Sequence, residues 1–143
     1  MEIERVSAEI VDAAVRLHRE PGPGLLESVY ERVLAASLSR AGLQVDRQVP
    51  VSFQFEGMHF DDAFKVDLLV ERCVVVELKS SQQFAPVYGK QVLTYLRLMN
   101  LQVGLLLNFG QATMKEGIRR IVNDHSPSSS ASPRLRVKSE FRE

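Results

Sequence analysis

Two nearly unbroken apolar runs constrain this chain more than anything else in it: CVVVELK at Cys73–Lys79 and VGLLLNF at Val103–Phe109. A strand that is apolar on both faces must be covered on both, so each run reads as a central strand of a sheet with helices on its two sides. Between them, Pro86–Met99 reads as a helix. Pro86 suits its first turn, and Val92, Leu96 and Met99 form its core side. Buried strands joined by a helix imply an α/β fold with a mixed sheet flanked by helices. A chain of 143 residues supplies one such domain with one real core.

The rest of the chain fits this frame. Ser7 can cap a first helix that runs to about Arg19, and PGPG at Pro21–Gly24 stops it. A second helix is expected over Leu25–Ala41, with Gly42 closing it. Val45–Phe55 alternates apolar and polar residues, which predicts a strand, with Pro50 at an edge or bulge. Gly57 turns the chain into a short return at Met58–Phe60. Asp61-Asp62 reads as another turn, Phe64–Val70 as a strand and Glu71-Arg72 as a tight connection. Ala112–Asn123 is expected to be a last helix on Met114, Ile118, Ile121 and Val122, weakened by Gly117. The domain is expected to span residues 1–124. Residues 125–143 read as a flexible Ser/Pro-rich linker (SPSSSASP) with a basic tail, and Arg134–Glu143 alternates weakly enough to be loose or a short strand.

Composition removes several function classes. No stretch approaches the ~18 continuous apolar residues that span a bilayer. The start, MEIERVSAEIVDAAV, is not a signal peptide. The single cysteine, Cys73, forms no intramolecular disulfide and no cysteine-based zinc site. A cytoplasmic protein without membrane contact is the expectation. Eighteen basic and eighteen acidic residues cancel, which weighs against coating nucleic acid by bulk charge but leaves room for an enzyme with a local basic patch. Neither phosphate-binding glycine motif, GxxxxGK[ST] or GxGxxG, is present.

Charge inside apolar strands is where chemistry is expected, because buried charge is costly unless paired or metal-bound. Asp67 sits within FKVDLLV, and Glu77 and Lys79 end CVVVELK. If the two strands form a hairpin centred on Arg72, Asp67 lies opposite Glu77 and Lys65 opposite Lys79. Opposed residues share a face with Cβ atoms roughly 4.5–5.5 Å apart. Two carboxylates that close repel unless a cation lies between them, and their hard oxygens suit Mg²⁺ or Mn²⁺. Such an ion lowers the pKa of a water and makes it a nucleophile, while a lysine orients it or offsets charge on a phosphate. A surface Glu–Lys pair is the plainer alternative.

Other candidates are weaker. Glu27 falls in the first turn of the second helix, where the dipole favours an acid, and shares a face with Tyr30. Tyr88, Gln91 and Tyr95, at i, i+3 and i+7, form a polar stripe that could face a site or be the polar seam of a core helix. Asn108 reads as a buried amide supporting backbone at a strand end. His18, His59 and His125 form no ligand cluster.

These residues carry a family pattern. Asp67, nine residues, then Glu77-Leu78-Lys79 resembles the D…(D/E)xK signature of the PD-(D/E)XK nuclease superfamily. Gly24-Leu25-Leu26-Glu27-Ser28-Val29-Tyr30 is similar to the motif of the GxxExxY proteins, a branch of it. The likeness continues through Phe64–Val70, Val74–Ser80, Gln91–Gly110 and Ile118–Asn123. The resemblance implies a restriction-endonuclease-like α-β-β-β-α-β core. It implies Asp67, Glu77 and the Leu78 carbonyl as metal ligands, Lys79 as the catalytic lysine, and Glu27 as an extra acid reaching the metal. Gln91 and Tyr95 match its QxxxYL stretch, which faces the site. Two positions depart from the pattern: Lys65 replaces a usual arginine, which loses the bidentate fork, and Tyr88 stands where a histidine is expected.

The expected function is therefore a Mg²⁺- or Mn²⁺-dependent phosphodiesterase acting on DNA or RNA through a metal-activated water. Asp67, Glu77, Lys79, Glu27 and Gln91 form the catalytic set, and Lys65, Tyr30, Tyr88 and Tyr95 surround it. The alternative is a catalytically weak or inactive nuclease-fold protein that binds nucleic acid or assembles a complex. Nucleic acid is the expected partner, with a homodimer or a partner protein supplying specificity.

Overall fold

A computed structural model describes residues 2–124 and 137–140. Its elements run α1 (Ile3–Arg19), α2 (Glu27–Arg40), β1 (Val45–Phe55), β2 (Met58–Val70), β3 (Val74–Lys79), α3 (Pro86–Met99), β4 (Val103–Asn108), α4 (Met114–Gly117), β5 (Ile118–Asn123) and β6 (Val137–Glu140). One sheet holds the strands in the order β1-β2-β3-β4-β5-β6. Only β3 and β4 are parallel, because α3 carries the chain back between them. The α/β fold with a mixed sheet and flanking helices is the one expected from the two apolar runs.

The core is split by the sheet. On one face, α1 and α2 pack Val6, Ile10, Tyr30 and Leu34 against Leu68, Val76, Leu78 and Leu105. On the other, α3 packs Val92, Tyr95 and Leu96 against Val75, Leu106 and Ile121. Successive β3 residues therefore go to opposite cores, which is why CVVVEL has no polar face.

The helix ends follow from local chemistry. Helix α2 closes at Gly42, whose φ of +93° suits a residue without Cβ, and the Leu43 N–H reaches back to the Leu38 carbonyl at 3.1 Å. The connection between β2 and β3 is tight, with Glu71 and Arg72 both at positive φ and the Cys73 N–H donating to the Val70 carbonyl at 3.0 Å.

Four local expectations are corrected. Helix α1 starts at Ile3, and Ser7 is buried within it rather than capping it. Cys73 belongs to the turn, and β3 begins at Val74. Asp61-Asp62 does not break the chain: β2 runs without interruption from Met58 to Val70, and the register shift between Val51 and Phe53 accommodates the extra length. The expected helix over Ala112–Asn123 is a single turn followed by β5. Its apolar spacing fits a helix, yet β4 is fully buried and needs an antiparallel neighbour. Residues 118–123 supply one with an alternating burial pattern. Beyond it, β6 pairs with β5, so the weak alternation near the end does form a short strand. The linker expected from residue 125 lies outside the described residues.

Candidate active site

The site forms where β2 and β3 part. Their ladder pairs Val70 with Val74, Leu69 with Val75 and Leu68 with Val76. The expected register is correct: one step further would set Asp67 opposite Glu77. The ladder stops there instead, and the Asp67 carboxylate takes the place of a backbone acceptor. Its Oδ2 accepts the Leu78 N–H at 2.9 Å. The strand also changes sides at this point, since Phe64 and Val66 pack into the α3 core while Leu68 and Val70 pack into the α1/α2 core.

The other oxygen of Asp67 is held by β1. Gln48, at φ +51°, directs its amide so that Nε2 donates to Asp67 Oδ1 at 3.2 Å and to Glu31 Oε1 at 2.7 Å. Glu31 is buried on α2 and pairs with Arg47 at 3.1 Å. Glu31, Arg47 and Gln48 were not expected at the site. One signal was available for Arg47, a cation on the apolar-alternating side of β1.

Glu77 lies beside this network and is only 7 % exposed. Its Oε2 is 3.7 Å from Lys79 Nζ, and its Oε1 is buried with no hydrogen-bond partner among the described residues. Burial first, and then the charge of Asp67, push the Glu77 carboxyl up to about 8, while Lys79 pulls the other way. Glu27 adds to the upward push, so the first turn of α2 reaches the site electrostatically. Burial, followed by Glu77 and Asp67, likewise pushes the Tyr95 hydroxyl up to about 12. The Tyr95 ring stacks on Phe64 at 4.1 Å, and Lys79 Nζ lies 4.8 Å above the Tyr88 ring.

The loops that frame the site are tied down by buried polar groups. Tyr30 is fully buried against Phe109, donates its hydroxyl proton to the Gly22 carbonyl and accepts the Leu25 N–H. It holds the PGPG turn, in which Gly24 has a φ of +116° open to glycine. Asn108 Oδ1 accepts the Ser81 and Gly110 N–H groups, each at 3.0 Å, so it does support the backbone after β3. Gly110 passes so close to Ser81 that a Cβ there would meet its backbone at 2.4 Å. Between these loops a groove of about 590 Å³ is lined by Gly24, Leu26, Glu27, Ser80 and Gln82.

The structure thus gathers Asp67, Glu77, Leu78, Lys79, Tyr88 and Tyr95, with Glu27 at the rim. Gln91 and Lys65 are exposed and make no hydrogen bond or ion pair among the described residues. Nor, among those residues, is any group of three or more His, Cys, Asp and Glu side chains placed to hold a metal ion. No helix among them is long and apolar enough to cross a membrane.

Compared with known proteins, residues 4–121 match the family model of the PD-(D/E)XK nuclease superfamily. No curated protein and no solved structure matches the chain.

Proposed function

Because the chain belongs to the PD-(D/E)XK nuclease superfamily, we propose that it hydrolyses phosphodiester bonds in DNA or RNA with Mg²⁺ or Mn²⁺, as a member of the GxxExxY branch. The observation that carries this reading is Glu77 Oε1, a buried carboxylate oxygen without a hydrogen-bond partner among the described residues, beside the Asp67 carboxylate. Proteins rarely leave such an atom unpaired, and a hard cation is the partner this donor set fits. Asp67, Glu77 and the Leu78 carbonyl would hold it, with Glu27 at longer range. A divalent ion supplies there the charge that lets a water lose its proton near neutral pH.

The chain's own groups then have separate tasks. Glu77 keeps a proton up to about pH 8 and must release it when the site is loaded. Asp67 is oriented by two N–H donors, from Gln48 and Leu78. Lys79, propped on the Tyr88 ring, offers a fixed positive charge to a phosphate oxygen. The Tyr95 hydroxyl stays protonated and can donate a hydrogen bond.

A second reading has its own observation. With no cluster of three or more metal-ligating side chains among the described residues, the side-chain count alone fits better a nuclease-fold protein that binds nucleic acid or assembles a complex while cutting weakly or not at all. One experiment separates the two. Purified protein and Glu77→Ala are incubated with single-stranded, duplex and branched DNA and RNA in Mn²⁺, Mg²⁺ or EDTA, and binding is followed by fluorescence anisotropy. Cleavage lost in EDTA and in the variant supports hydrolysis. Binding without cleavage supports the second reading. Neither binding nor cleavage overturns both.

A further inference from the structure

Six of the nine large apolar side chains left exposed among the described residues fall in two patches. The first is the far half of the β1–β2 ribbon, where β2 no longer pairs with β3. Phe53 opposes Phe60 and Phe55 opposes Met58, so the four share one face of the ribbon. Phe55 and Met58 are 61 % and 60 % exposed. Every Asp, Glu, Lys or Arg between residues 48 and 64 is acidic: Glu56, Asp61 and Asp62. None of these pairs with a lysine or arginine among the described residues; Asp61 meets only His59.

The second patch is the outer face of α2. Leu26, Val29, Val33 and Ala36 recur there at i, i+3, i+7 and i+10, the spacing of a helix face that has a partner. A groove of about 440 Å³ runs along it, lined by Val29, Arg32, Val33, Ala36 and Arg40. Neither arginine makes an ion pair among the described residues. This patch is apolar and basic where the ribbon tip is apolar and acidic.

We infer that a second copy of this chain covers this face, the aromatic, acidic ribbon tip of one copy seating in the arginine-flanked groove along α2 of another. Each patch carries the charge that the other lacks, and like-on-like pairing would set acids against acids or arginines against arginines. The acidic tip is also a poor surface for a phosphate backbone. Leu26, at the N-cap of α2 and one turn before Val29, lines the groove beside Glu27, so the contact borders the candidate active site.

Sedimentation velocity on the full chain tests this with two variants that each remove one half of the contact. One is Phe55→Ser with Met58→Ser, and the other is Val29→Ser with Val33→Ser. Wild type is expected to sediment well above the 16.1 kDa of one chain, and each variant at that mass. An equimolar mixture of the two variants is expected to regain a heavier species, because each retains the half that the other lost. Arg32→Glu, a change at an exposed position of the groove, is expected to act like the groove variant even if the valine pair impairs folding by circular dichroism. A wild type that stays monomeric at its solubility limit overturns the inference. So does a folded variant that assembles alone like wild type, or a mixture that stays monomeric. A change confined to nucleic-acid affinity, with no change in mass, also overturns it in favour of a nucleic-acid surface.

Discussion

The β2–β3 hairpin has two halves that solve the same problem in opposite ways. Next to the turn, Leu68–Val70 and Val74–Val76 meet each other's backbone groups in an ordinary ladder and send apolar side chains into both cores. One residue further on, the strands separate. The Leu78 N–H is satisfied by a side chain, Asp67, while a carboxylate oxygen of Glu77 has no hydrogen-bond partner among the described residues. The first half contributes stability, and the second gives some of it up to keep charged groups together out of water. That contrast locates the candidate site without reference to any relative.

The contrast breaks most visibly from the closed half. Leu68 is fully buried in the α1/α2 core, directly before the point where the strands part. Truncating it in Leu68→Ala should cost about 3 kcal/mol, measured as a lower urea midpoint, through lost transfer energy and the cavity left behind. If the two halves have separate roles, a Mn²⁺-induced rise in melting temperature should survive in this variant. A loss of that rise along with stability would show that the halves cannot be separated.

Glu77 makes the reverse case. The folded chain holds its proton up to about 8 and the unfolded chain only to about 4.5. Between those values the folded state binds the extra proton, so stability is full below 4.5 and falls as pH rises through the window. The loss should total about 2 kcal/mol, well under the full linkage value because the group is coupled to Asp67 and Lys79. Glu77→Gln should flatten the profile and leave the variant more stable than wild type at the alkaline end. Added Mn²⁺ should restore stability there to wild type alone. A variant whose denaturation profile still falls across this window would assign the slope to another group.

What could be read in the sequence was whatever depends on near neighbours. The symmetry of Asp67 and Glu77 about Arg72 predicted their register, and the two-residue spacing to Lys79 placed the lysine with them. The apolar run before Glu77 predicted its burial. What escaped is set by distant partners. Residues 118–123 carry spacing compatible with a helix, and only the exposed flank of β4 makes them a strand. Asp61-Asp62 has turn chemistry, but the chain absorbs it as an irregularity in the β1–β2 register, between the pairs Val51–Phe64 and Phe53–Phe60, and not as a turn. The support behind Asp67 joins α2 to β1 through Glu31 and Gln48, and a glutamine at positive φ leaves no mark in a sequence.

That support yields the smallest and most discriminating effect. Gln48 is exposed and contributes one amide to two carboxylates, so its side chain bears little of the fold. Gln48→Ala should cost about 1 kcal/mol in stability, the usual value of a side-chain hydrogen bond to a charged acceptor near solvent. Its effect on the open half should be larger in proportion. Asp67 would keep the Leu78 N–H but lose the donor that fixes its other oxygen. Glu31 would keep Arg47 at 3.1 Å. Calorimetry should therefore show weaker Mn²⁺ binding at nearly unchanged melting temperature, and Gln48→Asn, with a shorter reach, should not rescue it. Unchanged Mn²⁺ affinity in Gln48→Ala would mean that the Leu78 N–H alone orients Asp67. The distortion of β1 at residue 48 would then serve the Glu31–Arg47 pair rather than the site.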